Sequence, residues 1–155
     1  MLSITVSRYT VLTIVRGVLS EYNASFDVEI NRQGIKLEVK FSRLNIAFRK
    51  AGAPTKRWAW AKPFGESGNK EFNNLILLGI TDERYLKYYL DPLNKFIIFD
   101  APYDEIIPLT INSGRYRSIQ LTTNPNSAKS SASPLFEKYQ ITSDELERRY
   151  RYMST

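Results

Sequence analysis

The chain has 155 residues, a formal net charge of +6 at pH 7, and neither cysteine nor histidine. Disulfides, thiolate metal sites, zinc hydrolase centres and the imidazole-dependent Ser-His-Asp, Cys-His and HNH mechanisms are thereby excluded, leaving carboxylates, Lys, Arg, Tyr and Ser/Thr for any chemistry. The length suits one domain with a substantial core. With no apolar run of about 18 residues and no signal-peptide pattern, a cytoplasmic protein without membrane contact is expected.

Residues 9–21 place Val11, Ile14, Val15, Val18 and Leu19 at helical spacing behind Thr10 as a cap, which predicts a first helix. Residues 26–30 and 35–43 then alternate apolar and polar side chains around Asn31-Arg32-Gln33-Gly34, the pattern of a β-hairpin. Phe26, Val28 and Ile30 form one face of the first strand, and Asp27 and Glu29 the other. In the second, Ile35, Leu37, Val39 and Phe41 are the apolar face, while Glu38, Lys40 and Ser42 point the opposite way.

Two acids and a lysine thus meet on the polar side of neighbouring strands, an arrangement suited to a divalent cation beside an anionic substrate. Magnesium takes oxygen ligands, commonly one or two carboxylates, and fills its remaining positions with water and substrate phosphate. Asp27 and Glu38 offer the carboxylates and Val39 a backbone carbonyl, with Glu29 a rival to Asp27. Lys40, two residues past Glu38 and about 6.5–7 Å along the strand, is placed to polarise a water and offset developing charge on a phosphate.

With Asp27 followed eleven residues later by Glu38-Val39-Lys40 on the next strand, the chain resembles the PD-(D/E)xK nuclease superfamily, although Phe26 stands where the family name has proline. The resemblance implies a restriction-endonuclease-like core over about residues 9–110: a mixed α/β (α+β) fold whose central mixed sheet is flanked by helices. It also implies that Asp27 and Glu38 bind Mg2+, for which Mn2+ substitutes, and that Lys40 assists the attacking water. Family members often carry a further glutamate on the first helix, and Glu21 is the sole acid available there.

Residues 44–73 show little periodicity and read as a long basic loop. Residues 32–62 hold nine bases against Glu38 alone, a local balance of +8, whereas residues 82–105 balance to −3. Such segregation beside a metal site marks a polyanion binder. Arg43, Arg49, Lys50, Lys56, Arg57 and Lys62 are the candidate phosphate contacts, while Trp58 and Trp60 are either core anchors or contacts to a sugar-phosphate backbone.

Residues 75–80 are a nearly continuous apolar run and predict a buried central strand. Residues 81–84 predict a turn, and residues 85–90 and 95–99 two more strands joined through Asp91-Pro92-Leu93-Asn94. Asp82, Asp91, Asp100 and Asp104 read as turn or surface acids. A short helix is expected near residues 102–108 and a strand at 116–121, where Arg115, Arg117 and Gln120 join the DNA-contact candidates. Residues 122–133 form a polar loop, Ser133-Pro134 opens a short helix, and Thr142-Ser143-Asp144-Glu145 is a capping box for a final helix carrying Arg148, Arg149 and Arg151. Residues 111–155 are thus expected to contact DNA or a second subunit.

The expectation is a Mg2+-dependent, site-specific endonuclease of restriction or homing type. It would act on double-stranded DNA as a homodimer or higher oligomer, because twofold symmetry matches a duplex. Its alternatives are a non-catalytic nucleic-acid-binding protein with a basic surface, and a junction or repair nuclease of the same fold.

Overall fold

The apolar run at the middle of the sequence becomes the middle of a six-stranded sheet in the computed structural model, which describes residues 18–19, 28–30, 34–43, 45–47, 55–80, 96–122 and 138–150. In chain order the strands are β1 (Val18–Leu19), β2 (Val28–Ile30), β3 (Ile35–Arg43), β4 (Asn45–Ala47), β5 (Thr55–Ala61), β6 (Asn74–Ile80), β7 (Phe96–Pro102), β8 (Ile111–Ser113), β9 (Tyr116–Thr122) and β10 (Gln140–Ile141). Among the described residues one α-helix, α1 (Ser143–Tyr150), follows. The first sheet has the order β1-β2-β3-β6-β7-β10 and the second β4-β5-β9-β8. Among the described residues all pairings are antiparallel except β3 with β6, which run parallel from Leu37–Asn74 to Arg43–Ile80. The fold is therefore mixed α/β and rich in strands.

Parallel neighbours need a crossover, and here the second sheet supplies its first part. The chain leaves β3, forms β4 and β5 in the second sheet, and returns through residues 62–73 to β6. Both faces of β6 are consequently covered, which is why residues 75–78 can all be apolar and buried. On one face Leu75, Leu77, Ile97 and Phe99 pack against Trp58, Trp60, Ile119 and Leu121 of the second sheet. On the other, Ile76, Leu78 and Ile98 join Val28, Leu37 and Val39 around Leu146 and Tyr150 of α1.

Residues 55–61 correct the expectation of an irregular basic loop. Trp58 and Trp60 are core anchors: each indole N–H donates to a β6 carbonyl at 3.0 Å, Trp58 to Ile80 and Trp60 to Leu78. Trp60 also meets Phe99 edge-on across the two sheets. Gly79 makes room for this packing, since a Cβ there would lie 2.7 Å from Ile97 Cγ1 and 2.9 Å from Trp58 Cδ1.

Three further expectations are corrected. Val18 and Leu19 form a strand edge on β2 where a helix was expected; β-branched residues tolerate a pleated strand better than a helix. The central sheet has a helix against one face but a second sheet against the other, because the Trp-Ala alternation of β5 gives an apolar face that must be buried. Asp100 is neither in a turn nor at the surface: it sits within β7, 3% exposed, and accepts hydrogen bonds from Asn74, Arg149 and Tyr150.

Strands β7 and β9 and helix α1 fall where the sequence placed them, whereas β4, β8 and β10 were not expected. The segment after β7 forms two 3-10 turns, Tyr103–Glu105 and Ile107–Leu109. Thr142 Oγ1 accepts the Glu145 backbone N–H at 3.1 Å and caps α1. The remainder of the expected first helix, the turn at 81–84, the strand at 85–90 with its connection, the loop beyond residue 122, the helix at Ser133-Pro134 and Arg151 lie outside the described residues. Among the described residues, no helix is long and apolar enough to cross a membrane.

Candidate functional site

The alternation of β3 sends Leu37, Val39 and Phe41 toward α1 and leaves Glu38, Lys40 and Ser42 facing the second sheet. At Ser42 the sheets touch, the hydroxyl accepting the Ala59 backbone N–H at 2.9 Å. Two residues earlier, Lys40 lines an open cleft of about 410 Å3 together with Ala61, Lys62, Gly65, Glu66, Lys70 and Tyr116.

Two residues before Lys40 on the same face of β3, Glu38 is 1% exposed and is buried behind the lining of the cleft. A buried carboxylate must be met by charge or hydrogen bonds. Lys70 Nζ lies 3.1 Å from both of its oxygens, and Lys40 Nζ 3.7 Å from Oε1. The connection between β5 and β6 is shaped to deliver Lys70 there. Lys62 leaves β5 with a left-handed backbone (φ 53°), a conformation a non-glycine residue adopts only when the surroundings require it. Its N–H donates to Arg117 O and its carbonyl accepts from Gly65 N–H, each at 2.9 Å. Gly65 (φ 82°) then lets the Lys70 stem lie across its backbone, because a Cβ would approach Lys70 Cγ to 2.7 Å. Asn73 ties the end of the loop to β3 through reciprocal bonds with the Lys36 backbone.

The upper rim carries a second ion pair. Lys62 Nζ bonds Glu66 Oε2 at 2.6 Å and lies 5.3 Å from the Tyr116 ring centroid. The hydrogen bond from Lys62, reinforced by its charge, holds the exposed Glu66 carboxyl below the usual range. Next to the cleft is a second hollow of about 320 Å3, whose lining includes Arg115 and Arg117. Five cations thus border two contiguous hollows, opposed on the lining by Glu66 alone.

Of the sequence candidates, Glu38 and Lys40 are brought together, and the Val39 backbone runs between them in β3. Asp27 and Glu21 lie outside the described residues, as do Arg49 and Lys50. Glu29 stands opposite Lys36, on the Glu38 face but one strand pair away. Lys62, Arg115 and Arg117 reach the hollows. Arg43 is exposed at the end of β3, and Lys56 is described only through its backbone in β5. Arg57 donates to Gln120 at 3.0 Å, and both occupy the face of the second sheet away from its tryptophans. The sequence reading missed Lys70, Glu66 and Tyr116. A Gly-x-x-Gly turn at residues 65–68 was the local signal for a shaped loop, but nothing local identifies Lys70 as the partner of an acid 32 positions earlier.

Glu38 has the hard oxygen chemistry magnesium prefers. Both of its oxygens accept from Lys70, so a metal ion at Glu38 would take the place of that ammonium. Among the described residues no cluster of three or more acids gathers, so on these residues a metal would rest on Glu38, backbone carbonyl and water. Comparison with protein-family models, curated proteins and solved structures returns no match.

Proposed function

We propose that the chain is a magnesium-dependent endonuclease that hydrolyses phosphodiester bonds of double-stranded DNA. It has a restriction-endonuclease-like core and its site lies at the Glu38–Lys40 cleft. One observation carries the reading: Lys40, which opens onto a cleft lined also by Lys62 and Lys70, shares one face of β3 with the buried acid Glu38, and Lys70 of the cleft wall pairs with that acid. A phosphodiester is the substrate class that needs both features, cationic surroundings for its oxygens and an acid for a metal.

In this reading Asp27 and Glu38 would hold the metal, with the Val39 carbonyl, and Glu21 or Glu29 would be the further acid. When bound, magnesium supplies positive charge to the phosphorane-like transition state and lowers the pKa of water. Lys40 orients the water that attacks phosphorus. Lys62 and Lys70 neutralise the non-bridging oxygens as charge develops, and Arg115 and Arg117 hold the neighbouring backbone. Arg43, Arg49, Lys50, Lys56, Arg57 and Gln120 extend the contact surface along the duplex. A homodimer in the cytoplasm, each subunit cutting one strand, fits a duplex target.

A second reading, a non-catalytic nucleic-acid-binding protein, is favoured by the engagement of both Glu38 oxygens by Lys70. That ion pair completes a cationic cleft without a metal. The two are separated by incubating the protein with a broad panel of supercoiled and linear DNA, with Mg2+ and with chelator. A nuclease nicks in Mg2+ and loses the activity in Asp27→Asn and Lys40→Ala. A binding protein retains DNA in a salt-sensitive manner and leaves every substrate intact. Preferential cutting of branched or damaged DNA would assign the same site to junction or repair chemistry.

A further inference from the structure

We infer that the hollow beside the cleft is a nucleobase subsite, which takes an unpaired or extruded base of the strand whose phosphate lies against Lys40, Lys62 and Lys70. This rests on the cleft being a phosphodiester site and adds to it a preference for one local structure of the substrate.

Among the described residues the large apolar side chains left exposed are Ile107 (49%), Tyr116 (43%) and Ile111 (38%). Two of the three, Ile107 and Tyr116, line one hollow of about 320 Å3. Isolated exposed apolar residues need no explanation, but their convergence on a concave site does. The third wall is Phe64, which is fixed by packing: its ring stacks with Phe72 and meets Tyr103 edge-on. The hollow therefore has aromatic and aliphatic walls held on a rigid base, with Arg115, Arg117 and Lys62 beside them.

Its chemistry is that of a flat, apolar group attached to an anion. Lys62, Gly65, Glu66 and Tyr116 line both hollows, so an occupant of one is continuous with an occupant of the other. Lys62 joins the two functions, its ammonium 5.3 Å from the Tyr116 ring centroid while it borders the phosphate cleft. A nucleotide has this construction, a base with a π-face linked to a phosphate. A base within a duplex is stacked on both sides and cannot enter such a hollow, so the occupant comes from a single strand, a bulge or an opened pair.

The test measures binding in chelator, without cleavage, by fluorescence anisotropy. Three DNA probes are compared: a fully paired duplex, the same duplex with one extra unpaired nucleotide, and that duplex with an abasic residue at the unpaired position. Stacking on aromatic and apolar walls predicts about tenfold tighter binding of the unpaired base than of the abasic residue. Ile107→Ser, outside the phosphate cleft, abolishes this preference and leaves affinity for the paired duplex within about twofold; Tyr116→Ala abolishes the preference as well. Equal affinity for the base and abasic probes, or a preference that survives both substitutions, overturns the subsite while leaving the phosphate cleft standing. Failure to bind any of the three probes overturns both.

Discussion

Replacing Lys70 with methionine strands a buried charge, whereas replacing Glu38 with glutamine removes it, and this asymmetry predicts how the site contributes to stability. Glu38 is 1% exposed and Lys70 27% exposed, with Lys40 remaining at 3.7 Å from the carboxylate when Lys70 is lost. Breaking a fully buried pair from one side costs about 3–5 kcal/mol. Partial exposure of Lys70 and the help of Lys40 reduce this, and Lys70→Met is expected to destabilise by about 2 kcal/mol. Glu38→Gln keeps the shape and leaves Lys70 free to reach water, at a cost of about 1 kcal/mol. The double variant has no stranded charge and should also lose only about 1 kcal/mol, so the cycle is strongly non-additive. Urea unfolding measures all four proteins, with an unchanged slope required for the comparison. Refutation would come from a Lys70→Met protein as stable as wild type, or from a double variant that loses the sum of the two single changes.

Trp60→Phe removes the donor to the Leu78 carbonyl and opens a cavity between the sheets; a loss of about 2 kcal/mol is expected in the same unfolding assay. Burial, then the charge and hydrogen bonding of Asp100, push the Tyr150 phenol far above its ordinary value of 10.0. The folded protein keeps that proton at a pH where the unfolded chain has released it. Stability is therefore intact below about pH 10 and falls above it by up to about 1.4 kcal/mol per pH unit. Burial followed by the hydrogen bond to Glu105 raises Tyr139 as well, with the same sign; Tyr150→Phe should flatten the alkaline loss measured by urea titration. For DNA affinity plotted against salt on logarithmic axes, Lys62→Ala and Arg117→Ala should each reduce the slope by about one. Arg148→Ala, exposed on α1 against the opposite face of the sheet, should leave it unchanged.

Strands β3 and β6 were legible because each follows a simple rule: β3 alternates with period two, and residues 75–80 of β6 are a nearly continuous apolar run because both faces of the strand are covered. Thr142 announced the start of α1 by its side-chain chemistry alone. Strand β5 was harder to see because its alternation spans only Trp58-Ala59-Trp60-Ala61, with alanine carrying little polarity signal and Lys56 and Arg57 preceding it. Val18 and Leu19 sit at positions that fit a helical face and a strand equally well, and a partner strand decided between them. Asp100 read as a surface acid since Arg149 and Tyr150, which compensate it, lie 49 and 50 residues away. The candidate site divides along the same line. Glu38 and Lys40 are neighbours on one strand and were found together. Lys70 reaches them only through the left-handed turn at Gly65, which local pattern does not encode.

The most direct test of a nuclease function at this cleft compares wild type with Glu38→Gln on one DNA that both proteins bind, measuring anisotropy and strand cleavage on the same samples in Mg2+. Glu38→Gln removes a negative charge from a cationic cleft, so binding should be retained or strengthened. Wild type should cut while the variant does not. Cleavage by Glu38→Gln at the wild-type rate, or retention of DNA by wild type without any Mg2+-dependent cutting across the panel, would contradict a metal-dependent nuclease centred on Glu38.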